Sequence, residues 1–254
     1  MFPYPLTRPN RMKVARAFAF VPRVDISIDC IIEDQMGDVF VDSVENPQLF
    51  LAEQGQFFCY LAGNLNTDSA RDFVSKIQAT RMLMAGSDGW GDALSEVFGE
   101  QLMPIKRYSF SSDSLSLDHL NQLAANNPHT PNVKRVDVAL ANMKSDYIDI
   151  GAFESPEDFV ERGIGFCMTN DNKIIGAAYA SLACSNAIEI SIVVNPDYQK
   201  QGIATALACQ LLRWCLERQI EPHWDAANEV SCELAEKLGY THKTEYRAYY
   251  LKAG

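Results

Sequence analysis

No two of the seven cysteines (Cys30, Cys59, Cys167, Cys184, Cys209, Cys215 and Cys232) stand in a C-x-x-C spacing. Odd in number and scattered, they suggest neither a disulfide frame nor a zinc site, and read as buried thiols of a reducing, cytoplasmic compartment. Four histidines far apart in sequence add no metal site, so no metal is expected. Positive charge is scarce: 22 Lys and Arg against 33 Asp and Glu leave a net charge of -11. That balance argues against a nucleic-acid partner, whose phosphates are gripped mainly by Lys and Arg. It suits a cationic small molecule, although an acidic surface also simply keeps a protein soluble. No apolar run reaches the ~20 residues of a membrane span, so no membrane partner is expected. Neither G-x-x-x-x-G-K-[ST] nor G-x-G-x-x-G occurs, which removes the usual nucleotide and dinucleotide loops. The sequence shows no internal repeat. Its opening, MFPYPLTRPNRMKVARAF, is basic and free of acids, but early prolines spoil an amphipathic targeting helix, and it reads as a surface arm.

What is present is ample core material, 47% hydrophobic residues, in an α/β (α+β) pattern. In the first part DISIDCII, DVFVD, QFFCYLAGN and RMLMAGSD read as strands, and TDSARDFVSKI and WGDALSEVFG as helices. KRYSFSSDS ends in a serine-rich break, which places a domain boundary between an N-terminal α/β region, 1–112, and a second domain, 113–254. In the second domain LDHLNQLAANNPHTPN is a short helix running into a loop, VKRVDVAL a strand and SPEDFVERG a short helix. GIGFCMT, KIIGAAYASLA and AIEISIVV are close enough to form an antiparallel meander. After them the order becomes helix, strand, helix, strand.

The junction NPDYQKQGIATAL, residues 195 to 207, is the most informative stretch. From Ala204 the apolar or small positions 204, 207, 208, 211, 212 and 215 make one helical stripe. The loop before it therefore delivers the chain to a helix N-terminus, where unpaired N–H groups and the macrodipole favour an anion. Gly202 lets a phosphate approach the backbone, while a glycine needed only for the tight turn explains the same residue equally well.

Gln199, Gly202 and Ala204 resemble the Q/R-x-x-G-x-G/A motif of the GNAT (general N-acetyltransferase) superfamily. The likeness continues through AIEISIVV, the amphipathic helix, the strand EPHWDA and the closing PHWDAANEVSCELAEKLGY, and covers roughly residues 130–254. GIGFC, RYSF and the closing string also resemble a narrower branch, the zwittermicin-resistance-type acetyltransferases, which carry an added N-terminal region. The resemblance implies a mixed, mostly antiparallel sheet flanked by helices. It also implies acetyl-CoA as co-substrate, with its pyrophosphate on the amides of Gln199, Lys200, Gln201, Gly202, Ile203 and Ala204. Its pantetheine arm would lie against Val193, Val194 and Asn228. The family's general-acid tyrosine falls on Ala235, so that acid is missing.

The residues alone make Asn228 an N-cap and Gly239 a helix terminator. Acetyl transfer to an amine requires removal of a proton, and Glu189, a carboxylate inside the apolar strand IEISIVV, is the candidate general base. The bland alternative is a solvated strand residue. His223 beside Trp224 reads as packing; Tyr246, Tyr249 and Tyr250 on a terminal strand line an acceptor pocket or fill core. The expected function is acetyl transfer to the primary amine of a small molecule by direct attack. The alternative is a GNAT-like protein that binds acyl-CoA without turnover, for regulation or assembly.

Overall fold

A computed structural model describes residues 1–55, 57–66 and 69–253, and these divide into two compact units. The first holds Met1–Arg107 together with the end of the chain from Glu245; the second is Tyr108–Thr244. The sequence places the boundary at 112/113, whereas the division falls within two long strands that each serve both units.

In chain order the first unit contains β1 (Phe2–Pro3), α1 (Arg8–Phe18), α2 (Ser27–Ile32), β2 (Asp38–Val41), β3 (Leu49–Gln54) and β4 (Phe58–Gly63). α3 (Ala70–Ser75), β5 (Arg81–Ala85), α4 (Asp88–Phe98) and the start of β6 (Leu102–Ser111) follow. Residues on successive positions of β3 and β4 enter opposite cores. Leu49, Leu51, Cys59 and Leu61 pack with Phe73, Val74, Trp90 and Leu94 of α3 and α4. Phe50, Ala52, Tyr60 and Ala62 pack with Val14, Phe18 and Ile31 of α1 and α2. Both faces of the sheet are thus covered, which is why these strands read as unbroken apolar runs rather than alternating ones.

The opening segment is not a surface arm. Pro9 sits in the first turn of α1, where its missing N–H forfeits no hydrogen bond, and Val14 and Phe18 are buried. DISIDCII is not a strand but carries α2, whose buried positions Ser27, Cys30 and Ile31 make a helical stripe, with Asp25 and Ile26 buried just before it. The Ser27 amide donates to Asp25 Oδ1 at 2.8 Å and holds the entry to that helix. Gln56 and Thr67–Asp68, in two of the runs named above, lie outside the described residues.

The second unit continues with α5 (Leu117–Ala125), β7 (Lys134–Arg135), α6 (Val138–Ala141), α7 (Pro156–Arg162), β8 (Gly165–Asn170), β9 (Lys173–Ala183) and β10 (Ala187–Val194). Then come α8 (Ile203–Leu216), β11 (Glu221–Ala226), α9 (Glu229–Leu238) and β12 (Thr241–Leu251), whose last part belongs to the first unit. VKRVDVAL, expected as a strand, splits into two strand residues and a helical turn because the Asp137 side chain caps the turn, accepting from the Leu140 amide at 2.8 Å. Ser155 caps α7 in the same way, as Ser-Pro predicts.

Strand order in the first unit is β1-β2-β3-β4-β5-β12 and in the second β6-β11-β10-β9-β8-β7. Each sheet is mostly antiparallel, with one parallel pair joined by a crossover helix: β4 with β5, and β10 with β11. After β1 in the first unit, and after α5 and β7 in the second, each runs helix, helix, three-stranded meander, helix, parallel strand, helix, strand. The chain repeats its architecture although its sequence shows no repeat.

Candidate active site

The parallel pair β10/β11 is short. Ala187 faces Glu221, Ile188 faces Pro222, Glu189 faces His223, and there the pairing ends. Among the described residues, the next three of β11 pair only on its other side, with Phe110, Ser109 and Tyr108 of β6. At the same level β9 carries one extra residue, Ser181, between the partners of Glu189 and Ile190, and its hydroxyl donates to the Glu189 carbonyl at 3.2 Å. A bulge bends and twists the local pair, so β10 leaves β11 just beyond Glu189. Past that point, among the described residues, no strand pairs with that side of β10. Asn195 donates its amide to Ile175 of β9 at 2.9 Å. Alternation then turns Val193 toward β9, and Ile192 and Val194 toward the open side.

Glu189 and His223 sit where the strands part. Glu189 is buried and so is His223; Nδ1 of the ring lies 2.8 Å from Glu189 Oε2. With the carboxylate ionised, Nδ1 is the donor of that bond. The amide of Asp225 donates to Oε1 at 3.2 Å. Glu189 is therefore not a solvated strand residue. His223, which the sequence presents as packing, is its partner. Both are the third residue of strands flanking one crossover helix, and a β-α-β unit lays such strands side by side in parallel. That is the signal by which the pair was detectable.

The loop after β10 is built by its own side chains. Asn195 Oδ1 accepts from the Asp197 amide at 2.9 Å, and Gln199 Nε2 donates to the Val194 carbonyl at 3.0 Å. Gln199 thus ties the loop back to the strand. Lys200 and Gly202 have φ of 59° and 92°, both left-handed, so the amides between them turn to one side in the manner of an anion nest. Among the described residues the amides of 200–205 have no acceptor within the chain. No acid stands in the first turn of α8, whose N-terminal field favours negative charge. Asn127 Nδ2 donates to the Gly202 carbonyl at 2.8 Å, and a Cβ on Gly202 would lie 3.3 Å from that nitrogen. The left-handed φ of Gly202 meets the turn explanation.

Asn228 caps α9, its side chain accepting from the Ser231 amide at 3.0 Å. Gly239 ends α9 in the left-handed conformation, φ 106°, and Tyr240 packs back with its hydroxyl on the Pro222 carbonyl at 2.6 Å. Ala235 is fully buried in the core of the second unit with Leu238 and Trp224. Cys232 is buried nearby, and desolvation pushes its thiol above the ordinary range despite Lys243. Among the described residues no group of three or more His, Cys, Asp or Glu could hold a metal ion, and no helix is long and apolar enough to cross a membrane.

An open strand edge, a nest of unpaired amides at a helix start and a buried carboxylate where the strands part fit a thioester carrying a pyrophosphate. Comparison with known proteins gives the family. The GNAT acetyltransferase family matches residues 23–249. The chain is 26% identical over 227 residues to the uncharacterized N-acetyltransferase YdfB of Bacillus subtilis, covering 84% of this chain and 85% of that protein. The crystal structure of a GCN5-related N-acetyltransferase-like protein from Streptococcus suis superposes with a TM-score of 0.84 at 30% identity, covering 97% of this chain and all of the other. A tandem GNAT protein from the clavulanic acid biosynthesis pathway shares the fold over the whole chain and 98% of its own, with a TM-score of 0.56 at 13% identity. The protein belongs to the GNAT acetyltransferase family and is an N-acetyltransferase.

Proposed function

We propose that the second unit transfers an acetyl group from acetyl-CoA to the primary amine of a small molecule by direct attack, without a covalent enzyme intermediate. Acetyl-CoA would supply the activated acyl group as a thioester. The amides of Lys200 to Ala204, with Gln199 bracing the loop, would hold its pyrophosphate. On the open edge of β10 the role expected of Val193 and Val194 falls to the Val194 amide, because Val193 is turned into the ladder. Asn228, its side-chain oxygen engaged in capping, has its amide nitrogen for the pantetheine arm. Glu189 takes a proton from the acceptor's ammonium, so that the free amine attacks the thioester carbonyl, and His223 holds the carboxylate in place through Nδ1. No side chain at position 235 reaches the departing sulfur, so solvent supplies its proton.

The observation that carries this reading is the coincidence of the buried Glu189–His223 pair with the point where β10 and β11 part. The net charge of -11 favours a cationic acceptor. The strings GIGFC and RYSF support the zwittermicin-resistance-type branch and with it an amine-bearing natural product. The free cysteines, all but Cys184 buried, support a cytoplasmic setting. The test is release of free thiol from acetyl-CoA by the full chain across a panel of amino-sugar, peptide and polyamine acceptors, with products identified by mass. Release that depends on the amine supports the transferase. Tight CoA binding with no amine-dependent release would establish the non-catalytic acyl-CoA binder instead.

A further inference from the structure

The first unit holds a cavity of about 390 Å³, lined entirely by its own residues. That volume is within the range of small-molecule sites. Its place in the fold is informative. In the first unit the third pair of the parallel strands is Tyr60 with Met84, where the second unit has Glu189 with His223, and both Tyr60 and Met84 line the cavity. Here, however, the strands stay paired one residue further, Leu61 with Ala85. α3 is only six residues long. Among the described residues this unit has neither the parted strands that would take a thioester nor a long crossover helix, so the cavity suits a different ligand.

The walls state what such a ligand resembles. Val21, Val24 and Met84 give an apolar interior, with Tyr246 and Tyr249 beside them. Tyr60, 2% exposed, is held rigidly: its hydroxyl donates to Asp25 Oδ2 and accepts from Ser27 Oγ at 3.0 Å. Gly86 brings the end of β5 against Val21, whose Cγ2 would lie 2.7 Å from an added Cβ, which fixes the loop between α1 and α2 as one wall. At the exposed side stand Asp88, Glu245 and Arg247. Glu245 meets Lys106 at 2.9 Å, whereas neither Arg247 nor Asp88 has an ion-pair partner among the described residues. Unpaired charges of both signs above an apolar interior complement a molecule with the same polarity reversed.

We propose that this cavity binds a small zwitterion with an apolar side chain, of the class of α-amino acids, its carboxylate meeting Arg247 and its ammonium meeting Asp88 and Glu245. The site is independent of the acetyl-transfer reading and persists if that reading fails.

Calorimetry on the full chain with L-leucine, L-phenylalanine, L-leucinamide and N-acetyl-L-leucine tests it. Binding of leucine or phenylalanine is expected, weakened about tenfold or more by Arg247→Ala and by Asp88→Asn, since each removes a charged hydrogen bond. Leucinamide, without the carboxylate, binds weakly and loses nothing further in Arg247→Ala; N-acetyl-leucine, without the ammonium, behaves likewise toward Asp88→Asn. Glu189→Gln leaves amino-acid binding unchanged. No heat from either amino acid up to about 10 mM overturns the proposal, since affinity of that order is below any specific site. Unchanged affinity in both surface variants, or loss of binding in Glu189→Gln, overturns it as well.

Discussion

The two units share an order of elements and differ in what the crossover leaves open. In the second, pairing stops at Glu189 and His223, Ser181 bulges β9, and fourteen-residue α8 begins with unpaired amides. In the first, four pairs from Phe58↔Met82 to Leu61↔Ala85 close the sheet, and the strand ends at Gly63, packed on the carbonyl of Gln48. The same scaffold leaves a strand edge unpaired where one extra residue bends a strand, and keeps its sheet paired beside a cavity where none does. In the proposed mechanism chemistry depends on the break in pairing more than on the layer arrangement, and fold alone does not assign function.

The largest effect should come from the residue at that break. Glu189→Gln keeps the shape and the Asp225 amide contact while removing the base, and should lower kcat about 10²- to 10³-fold with CoA affinity unchanged. Steady-state rates and calorimetry check it. His223→Ala should lower the rate as well, and also cost about 3 to 5 kcal/mol of stability by leaving the buried carboxylate without its ring partner. In Glu189→Gln/His223→Gln that stability loss should shrink, because no uncompensated charge is left. A double variant as unstable as the sum would show that the pair is merely packed.

One glycine from each crossover connection, Gly63 at the end of β4 and Gly202 at the start of α8, sharpens the contrast. Gly63 has φ 114° and an added Cβ would stand 2.1 Å from the Gln48 carbonyl, so Gly63→Ala must move backbone, at about 3 to 5 kcal/mol by chemical denaturation. Gly202→Ala meets only Asn127 at 3.3 Å, at a φ of 92°. Its stability loss should be smaller, about 1 to 2 kcal/mol, while CoA binding weakens about tenfold as a methyl enters the anion seat. Equal affinity in a folded Gly202→Ala protein would leave Gly202 as a turn residue only.

Most of the second unit was legible because its signals are local. The stripe from Ala204 to Cys215 falls within α8, the Asn170–Asn172 turn joins β8 to β9, and Asn228 and Gly239 bound α9. What was not legible depends on partners distant in sequence. DISIDCII has the alternation of a strand until Tyr60, 33 residues on, takes the Ser27 hydroxyl and the face of α2 is set by the sheet. The repeat was hidden because each position is filled for its own surroundings: Tyr60 and Met84 in place of Glu189 and His223 preserve the backbone and share no chemistry. Glu189 was found from its type within an apolar strand. His223 was not, because a ring beside Trp224 has the same appearance whether it packs or pairs.

The smallest effects should come from the side chains that stand nearest to a missing acid. A general acid for the departing sulfur must be exposed to it and hold a proton it can release near neutral pH. Cys232 fails on both counts: it is 1% exposed, and burial raises its thiol further above neutrality, so that across pH 6 to 8 it holds its proton. Ser231 is occupied, its Oγ accepting from Trp224 Nε1 at 3.1 Å. Cys232→Ala should therefore cost about 1 kcal/mol of stability for the lost core sulfur. Ser231→Ala leaves one indole N–H unpaired, for about 1 kcal/mol or more. Both should retain activity within about twofold. Ala235→Tyr should not restore an acid at all, because the side chain at that position enters the core of the second unit, and the ring would be overpacking worth about 1 to 3 kcal/mol or more. A hundredfold rate loss in either Ala variant with CoA binding intact would place a dedicated acid on α9 and make the second unit a donor of protons as well as an acceptor of them.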